Sequence, residues 1–349
     1  MSRLFQDVQQ ELISNPKVWL ITGVAGFIGS NLLEFLLNLN QRVIGVDNFK
    51  TGKSQHFEEI RSRLTATKWH NFTFYQGDIR SLDLCRDVCL GVDYVLHHAA
   101  LCSVPDSMRD LMAYHSVNVT GFLNMLLAAR DHAVSSFTYA ATSAVYGDHH
   151  VLPFGEEKTG KPLSMYAATK CVNEMYADFF ARTYGFKTIG LRYFNVFGQR
   201  QSVDGAYSAV IPQWISALLQ GNTLYVYGDG ETTRDFCPID NVIQANILAA
   251  TAPDDKKNEI YNIATGVNMS LNQLLNVLRQ ALEKQDIPYS GVPVYCDFRT
   301  GDIKYSAADI SKAIRMLGYQ PSIGIREGID KAMPWYIKQN KDMKHVEPA

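Results

Sequence analysis

The chain has 349 residues, 46% of them apolar, which is enough for one extended domain or two with a sizeable core. Its 33 Lys and Arg against 35 Asp and Glu give a net charge of −2 without a basic block, so no nucleic-acid partner is expected. No apolar run approaches the roughly 18 residues of a membrane span, and the N-terminus lacks an apolar signal core, which predicts a cytoplasmic protein without a membrane partner. Six scattered cysteines without CxxC spacing favour free thiols, and no metal is expected.

The N-terminal half is organised around an apolar run at residues 18–22 that breaks into three regularly spaced glycines, Gly23, Gly26 and Gly29. This pattern predicts a strand, a tight turn and a helix over residues 30–39. The glycines allow positive φ in the turn and let the backbone approach a pyrophosphate closely. The helix N-terminus offers free N–H groups to the phosphates, so the stretch predicts a dinucleotide-binding site.

A second predicted strand, residues 42–46, leads into Asp47, 18 residues beyond Gly29. A carboxylate there can accept hydrogen bonds from an adenosine ribose and would repel a 2′-phosphate, so the pattern favours NAD over NADP. The alternative is a glycine turn beside a surface aspartate. Asp78, at the end of a strand predicted over residues 72–79, could meet the adenine amino group.

Strands and helices alternate from residue 17 to about residue 198, which predicts an α/β fold with a doubly wound parallel sheet and ligands at the carboxyl ends of its strands. The other predicted elements are helices over 2–14, 111–130, 165–184, 240–252, 270–284 and 309–317 and strands over 92–100, 137–141, 259–264 and 292–298. His97 and His98 end one strand, and without metal-ligand spacing we interpret them as core histidines. We expect a dinucleotide-binding domain from residues 1–198 plus about 238–266, interwoven with a smaller domain from about 199–237 and 267–345.

Tyr166 and Lys170 lie four residues apart, on one face of the same predicted helix. A neighbouring Lys⁺ and the positive nicotinamide ring would favour the phenolate, which makes Tyr166 a general base near neutral pH. Such a pair also occurs by chance on amphipathic helices. Here it follows a dinucleotide fingerprint and a Thr-Ser strand end at Thr142, which favours the catalytic interpretation.

The motifs of the sequence span nearly the whole chain. They are Thr22-Gly23-x-x-Gly26-Phe27-Ile28-Gly29, Asp47, Asp78, Asn118-x-x-Gly121, Thr142, Tyr166-x-x-x-Lys170, Arg192-Tyr193-Phe194-Asn195 and Arg234-Asp235-Phe236. Together they resemble the extended short-chain dehydrogenase/reductase superfamily, and within it the sequence is similar to bacterial UDP-N-acetylglucosamine 4-epimerases of O-antigen and capsule pathways. The resemblance implies a Rossmann sheet with an interwoven smaller α/β substrate domain, tightly bound NAD and a UDP-sugar substrate.

The resemblance also implies a reaction at C4 of the sugar. Thr142 would hydrogen-bond the reacting O4, with Ser143 as a nearby helper, and Tyr166 would take the O4 proton while hydride passes from C4 to NAD. The 4-keto sugar would then turn in the pocket and accept the hydride on its other face, which regenerates NAD. Lys170 would hold the nicotinamide ribose hydroxyls.

Two sets of binding residues follow from the same resemblance. Those for NAD are Gly23, Ala25, Gly26, Phe27, Ile28, Gly29, Asp47, Asn48, Asp78, Ile79, Ala99, Ala100, Leu101, Asn118, Tyr166, Lys170 and Phe194. Those for the nucleotide sugar are Cys102, Ser103, Thr142, Asn195, Ala209, Val210, Tyr225, Tyr227, Arg234, Arg299, Asp302 and Ser306. The two arginines would counter the charge of the diphosphate.

The chain departs from the closest family pattern at three places near the sugar. It carries Thr142-Ser143-Ala144-Val145 where Ser-Ser-Ser-Thr is usual, Cys102 where Gly is usual and Asp106 where Arg is usual. By resemblance Ser306 borders the sugar's 2-substituent, and the small side chains of Ser306 and Cys102 would leave room for an acetamido group. This favours UDP-GlcNAc to or from UDP-GalNAc, and the alternative is that Ser306 is a solvated loop residue.

Several other functions stay open at this point. A 4-epimerase of UDP-glucose or of UDP-N-acetylglucosaminuronate would use the same motifs. A 4,6-dehydratase typically carries Asp-Glu after the Thr, and a UDP-uronate decarboxylase carries Glu at this turn, where this chain has Ser143-Ala144. A catalytically silent NAD-sensing protein typically lacks the Tyr or the Lys.

The helices predicted over 111–130 and 165–184 carry apolar residues on more than one face, which indicates a second packing partner. These residues include Leu123, Leu126, Leu127, Met175, Phe179 and Phe180. In resembling enzymes the two helices pair across a twofold axis into a four-helix bundle. The sequence therefore predicts a homodimer.

Overall fold

The computed structural model describes residues 4–202, 209–289, 291–298 and 304–344. Its main sheet contains β1 (Val18–Thr22), β2 (Arg42–Asp47), β3 (Phe72–Gln76), β4 (Tyr94–His97), β5 (Ser136–Thr142), β6 (Thr188–Tyr193) and β11 (Glu259–Ile263). These seven strands are all parallel, in the order β11-β6-β5-β4-β1-β2-β3. The predicted doubly wound α/β sheet is confirmed. The strand order reverses between β1 and β4, which places a ligand crevice at their carboxyl ends.

Helices cover the sheet and build the second part of the molecule. They are α1 (Phe5–Ser14), α2 (Phe27–Asn38), α3 (Gln55–Arg63), α4 (Ala66–Trp69), α5 (Leu82–Cys89), α6 (Val104–Ser107), α7 (Leu111–His115), α8 (Gly121–Asp131), α9 (Met165–Tyr184), α10 (Val210–Gln220), α11 (Ile239–Ala250), α12 (Leu271–Glu283), α13 (Ser311–Leu317) and α14 (Ile325–Lys344). A π-helical turn, Ser116–Thr120, joins α7 to α8. Short 3₁₀ turns occupy Ser143–Tyr146 and Asp254–Lys256. None of the helices within the described ranges is long and apolar enough to cross a bilayer.

Three small two-stranded sheets lie outside the main sheet. Their strands are β7 (Val196–Phe197), β8 (Tyr225–Tyr227), β9 (Thr233–Asp235), β10 (Cys237–Pro238), β12 (Asn268–Ser270) and β13 (Val294–Cys296). The pairs β7 with β10 and β8 with β13 are parallel, whereas β9 and β12 are antiparallel. Because β11 returns to the main sheet after β8 and β9, we propose that the two domains are interwoven, with boundaries near residues 198, 238 and 266.

The sequence analysis predicted no helix over α3, α10 or α14. In α10, Ile211, Trp214, Ile215 and Leu218 are buried at helical spacing, so the signal was present. The period of α14 is interrupted by Pro334 inside the helix, and α3 is short and strongly polar. Both α10 and α12 pack against α14, and their apolar faces form the core of the smaller domain.

The cleft end of the main sheet depends on glycine at two positions. Gly23 has φ +70°, and a Cβ there would lie 2.8 Å from the backbone N of Ala99. A Cβ on Gly29 would lie 2.2 Å from the carbonyl O of Gly23. Neither neighbour can move without shifting a strand end, because both atoms are backbone. The glycines therefore allow α2 to start directly against β1 and the β4 loop to approach the same turn.

We predict that Gly29→Ala lowers the free energy of unfolding by about 3 kcal/mol, the upper end of the usual cost of overpacking. The physical reason is the backbone clash with Gly23. Urea denaturation monitored by circular dichroism measures the change. Gly324→Ala is the matched control, because no heavy atom lies within 4 Å of its added Cβ. Equal stability of the two variants would contradict the prediction.

Candidate active site

A cavity of about 530 Å³ opens at the carboxyl ends of the main-sheet strands. Most of the residues predicted for NAD line it, namely Gly23, Gly26, Phe27, Ile28, Gly29, Asp47, Asn48, Asp78, Ile79, Ala99, Ala100, Leu101, Tyr166 and Lys170. Thr142 and Cys102, predicted to face the sugar, line the same cavity. The adenosine-side and reaction-side residues are thus brought into one continuous cleft.

The start of α2 is suited to a pyrophosphate. Its N-cap residue is Gly26, which has no side chain to occupy the free N–H groups of the first turn. These N–H groups belong to residues that line the cavity. The carboxylate of Asp47, the last residue of β2, accepts hydrogen bonds from the N–H groups of Ala25 in this turn and of Phe49, at 2.9 and 2.8 Å. Burial raises the pKa of Asp47, and these bonds oppose the shift. The donor set and the shape of this turn fit a dinucleotide.

Asp78 is held by side-chain donors, whereas Asp47 is held by backbone N–H groups. Its carboxylate accepts hydrogen bonds from the guanidinium of Arg80 and from the amide of Asn48. The Arg80 contact lowers the pKa of Asp78 to about 2. The Asp78 carboxylate, which lines the cavity, is therefore ionised near neutral pH, as the predicted adenine contact requires. Arg80, which also lines the cavity, was not among the predicted residues.

Three residues predicted to contact NAD do not line the cavity. Ala25 is fully buried, and its contribution is the N–H that it donates to Asp47. Phe194 is also fully buried and packs in the core beside Tyr146. Asn118 uses its amide to bind both the N–H and the carbonyl of Leu101, at 2.8 and 2.9 Å. These side chains hold the backbone that forms the cavity wall, and direct contact of the three residues with NAD stays a prediction.

Two predicted residues near the sugar also lie outside the cavity lining. Ser103 caps α6 by accepting a hydrogen bond from the N–H of Asp106, and its carbonyl accepts one from the Tyr114 hydroxyl at 2.6 Å. Ser143 is half-buried in the 3₁₀ turn that follows Thr142. Each of them shapes a loop that borders the site.

Thr142, Tyr166 and Lys170 meet at one end of the cavity. Thr142 ends β5, whereas the other two lie in the first two turns of α9. The Lys170 ammonium donates a 2.8 Å hydrogen bond to the carbonyl of Ala140 on β5. Burial lowers the pKa of Lys170 to about 8. The lysine is therefore fixed against the strand that carries Thr142.

The ionisation of Tyr166 differs from the sequence expectation. Burial raises the pKa of its phenol above the ordinary value, and a hydrogen bond with Thr142 lowers it by less. The protein's own groups therefore keep the phenol protonated near neutral pH. That Lys170 and the nicotinamide ring favour the phenolate of Tyr166 stays a prediction.

His97, the last residue of β4, and His98, which follows it, are interpreted from the sequence as core residues. His97 is buried, its Nδ1 lies 2.9 Å from the Thr22 hydroxyl, and burial lowers its pKa well below the usual value. His98 lines the cavity and pairs through Nε2 with Asn246 at 3.1 Å. Throughout the described ranges, no three His, Cys, Asp or Glu side chains are grouped as metal ligands.

A second cavity, of about 150 Å³, lies in the smaller domain. Five residues predicted for the nucleotide sugar line it: Asn195, Val210, Tyr225, Tyr227 and Arg234. Ala209 immediately precedes Val210 as the N-cap of α10. Gln213, Trp214, Thr232, Phe236 and Leu271 complete the lining and were not predicted. Aromatic rings beside an arginine suit a base next to a phosphate.

The remaining predicted residues are placed less directly. Arg299 and Asp302 lie outside the described residues. Ser306 is 8% exposed, so it is not a solvated loop residue, yet it lines neither cavity. The strand-like segment around it bridges Tyr305 to Thr233 and Ala308 to Phe154, which keeps it beside β9.

Comparisons with known proteins agree with this architecture. A sequence model of the NAD dependent epimerase/dehydratase family matches residues 19–264. A UDP-glucuronate 4-epimerase of Thermodesulfobacterium geofontis is 33% identical over 93% of this chain and 97% of its own.

Two solved structures are similar over nearly their full length. A UDP-N-acetylglucosamine 4-epimerase from Methanobrevibacter ruminantium M1, in complex with UDP-N-acetylmuramic acid, superimposes with a TM-score of 0.84, 35% identity and coverage of 93% and 99%. A Thermus thermophilus UDP-glucose 4-epimerase in complex with NAD gives 0.77, 29%, 91% and 98%. NAD is the cofactor of this family, and the glycine turn, the helix N-terminus and the Tyr166–Lys170 pair fit it. The chain belongs to the NAD dependent epimerase/dehydratase family.

Proposed function

We propose that this protein interconverts the C4 epimers of a UDP-hexose, and that its substrate pair is UDP-GlcNAc and UDP-GalNAc. The observation that carries the proposal is the meeting of Thr142, Tyr166 and Lys170 at the end of a dinucleotide cavity. The adjoining cavity with Tyr225 and Arg234 supports a nucleotide diphosphate as the handle of the substrate. The resemblance to O-antigen and capsule enzymes extends the proposal to polysaccharide precursors.

In the proposed mechanism the chain's own side chains bind O4 of the sugar and transfer its proton. Thr142 hydrogen-bonds O4, and Tyr166, as the phenolate that the positive charge of bound NAD would favour, accepts the O4 proton as the C4–H bond breaks. Lys170, held by Ala140, would orient the cofactor ribose. NAD, when bound, would supply the acceptor and later the donor of the C4 hydride. Tyr166 gives its proton back to O4 after the sugar has presented its other face.

In resembling enzymes the competing reactions use acidic residues directly after the threonine, where this chain has Ser143 and Ala144. Dehydration across C5 and C6 requires an acid and a base beside the sugar, and the two residues after Thr142 are Ser143 and Ala144. Decarboxylation in resembling enzymes uses a Glu at the same turn. A silent NAD-binding protein would have no need of both Tyr166 and Lys170.

One incubation experiment identifies the reaction and the substrate. Purified protein is mixed separately with UDP-GlcNAc, UDP-Glc and UDP-GlcNAcA without added reductant, and the products are resolved by NMR. The proposal expects the axial and equatorial C4 epimers of UDP-HexNAc at equilibrium. Conversion of UDP-Glc or UDP-GlcNAcA but not of UDP-GlcNAc would contradict the proposed substrate. A 4-keto-6-deoxy product would contradict epimerisation and indicate a dehydratase.

We predict that Tyr166→Phe lowers kcat by about 10²–10⁴-fold, the usual contribution of a general acid–base group. NAD should remain bound, because only the phenolic hydroxyl is removed. Turnover is followed by NMR, and NAD is quantified after release from the denatured protein. Tyr184→Phe, at the exposed end of the same helix, is the control and should leave both values unchanged. A Tyr166→Phe enzyme within about threefold of wild type would exclude the phenol from the mechanism.

Substrate choice is proposed to depend on the small side chains of Cys102 and Ser306. Ser306→Tyr should suppress epimerisation of UDP-GlcNAc much more than that of UDP-Glc. Overfilling a packed site costs about 1–3 kcal/mol, or roughly 5- to 150-fold in kcat/KM. The ratio of kcat/KM for the two sugars is the measurement. An equal loss on both sugars would show that Ser306 does not face the 2-substituent.

We also propose a homodimer formed through the helix run from α7 to α8 and through α9. Leu126 and Phe180, expected on the outer face, are buried within the chain. Met175 and Phe179 are 68% and 44% exposed on α9, and the half-buried Leu123 and Leu127 lie on α8. An exposed apolar stripe on a long helix favours a partner.

Light scattering at micromolar concentration should therefore give the mass of two chains. The double variant Met175→Glu/Phe179→Glu should give the mass of one, because two buried charges per chain would oppose association. Val292→Glu, an equally polar change at an exposed apolar residue of the smaller domain, is the control and should stay dimeric. A wild-type monomer would exclude the proposal.

A further inference from the structure

The two cavities share a wall. Asn195 lines the cavity of the smaller domain, while Val196 and Gln201, only a few residues further on, line the dinucleotide cavity. Any displacement of the segment 195–201 therefore changes both cavities at once. The contacts described so far for Thr142, Tyr166 and Lys170 do not hold this segment in place.

Arg200 is the most heavily constrained residue of this wall. Its side chain is fully buried, and its backbone φ is +66°, a left-handed conformation that costs a non-glycine residue free energy. Glycine would relieve that strain, so the arginine is present for its side chain. A buried guanidinium in turn requires partners, because an unpaired charge in the interior is strongly destabilising.

The partners of Arg200 come from helices that lead to the cofactor. Its guanidinium forms an ion pair with Glu34 of α2, lies 3.7 Å from a carboxylate oxygen of Glu59 on α3, and donates to the Ser30 carbonyl at 3.3 Å. Among the residues that the structure describes, no hydrogen-bond partner reaches its Nε, and the nearby Glu59 carboxylate compensates it by charge. Glu34 and Ser30 belong to the helix whose N-terminus forms the pyrophosphate end of the cavity. Arg200 therefore joins the shared wall to that helix.

The C-terminal helix holds the same cluster from the other side. The Trp335 indole N–H donates to Glu59 at 3.0 Å, and the Tyr336 hydroxyl donates to the Gly198 carbonyl at 3.0 Å. The same hydroxyl lies 3.3 Å from the side-chain oxygen of Gln201. Helix α14 packs in the core of the smaller domain. The cluster thus connects α2, α3 and α14 across the domain junction.

We propose that Arg200, with Glu34 and Glu59, is a positioning group that sets the shared wall for the cofactor and the nucleotide sugar together. Neither a bound cofactor nor a bound substrate needs to touch it. It acts by fixing where Val196, Gln201 and Asn195 stand relative to α2. The part that concerns the nucleotide sugar rests on the proposed function, whereas the part that concerns NAD does not.

The test compares Arg200→Met, which keeps the length of the side chain but removes its charge, with Arg200→Lys, which keeps the charge. Arg200→Met should raise the dissociation constants of NAD and of UDP, and the KM of the UDP-sugar, each by roughly tenfold, since a misplacement of about 1 Å can cost up to about 10²-fold. With NAD saturating, kcat should change by less than about threefold. Arg200→Lys should recover part of the affinity for both ligands.

Leu278→Ala is the control for a loss of stability alone, because Leu278 is fully buried in the core of the smaller domain and lines neither cavity. It should lower the melting temperature with wild-type affinities for NAD and UDP. Glu59→Gln and Trp335→Phe change the same cluster more mildly and replace Arg200→Met if that variant does not fold.

Wild-type NAD and UDP affinities in the cluster variants would overturn the proposal, as would an equal loss of affinity in Leu278→Ala. Loss of affinity for one ligand alone would also overturn it, because a shared wall must affect both. Calorimetry with NAD and with UDP needs no turnover. A wild-type protein that binds both ligands but converts no UDP-sugar would therefore count against the proposed function and leave the positioning test intact.

Discussion

The site depends first on a steric constraint, the contact of backbone with backbone around Gly23. Its neighbours are the β4 loop at Ala99 and the first turn of α2 at Gly29. The Thr22 hydroxyl reinforces the same junction by accepting hydrogen bonds from the N–H groups of His98 and Ala99, both at 3.2 Å. Strand, helix start and neighbouring loop are thereby locked together. The dinucleotide cavity is the space that this packing leaves open.

Burial then determines the chemistry that the cavity can support. It raises the pKa of the Tyr166 phenol and lowers that of the Lys170 ammonium, so both groups are drawn towards their neutral forms. The positive charge that bound NAD would supply beside Tyr166 would shift the balance towards the phenolate, because Coulomb interactions are strong in a dry site. Without that charge the protonated phenol is favoured, which is the form that holds the proton until it is given back to O4.

Much of this arrangement could be predicted because its signals are local. The glycine spacing, the acid after β2 and the four-residue spacing of Tyr166 and Lys170 each report the geometry of one turn. Roles that depend on tertiary packing are less accessible from the sequence. The hydrogen bonds of Asn118 with Leu101 and the burial of Phe194 beside Tyr146 have no local signal, and the assignment of both residues to the cofactor by resemblance stays a prediction.

The partners of Arg200 could not be predicted from the sequence at all. Glu34 and Glu59 lie more than a hundred residues away along the chain, and no periodicity links them. The helix that completes their cluster contains Pro334, which hid its period. Long-range ion pairs and a helix with an internal proline are features of tertiary packing, and only coordinates disclose them. The residues of the binding cleft were thus predictable, whereas the ion pairs of Arg200 and the helix packing that support the cleft were not.

The π-helical turn at Ser116–Thr120 sets the rotation of α8 relative to α7 about their common axis. It contains Asn118, which grips the loop at Leu101, and it is followed by α8 with its outward leucines. An α-helix advances about 100° per residue, so the extra residue of the π turn rotates α8 by that angle relative to α7. Removing one residue there would leave the fold's composition almost unchanged. It would nevertheless turn either the Asn118 amide away from the loop at Leu101 or Leu123 and Leu127 away from the face that they now occupy on α8.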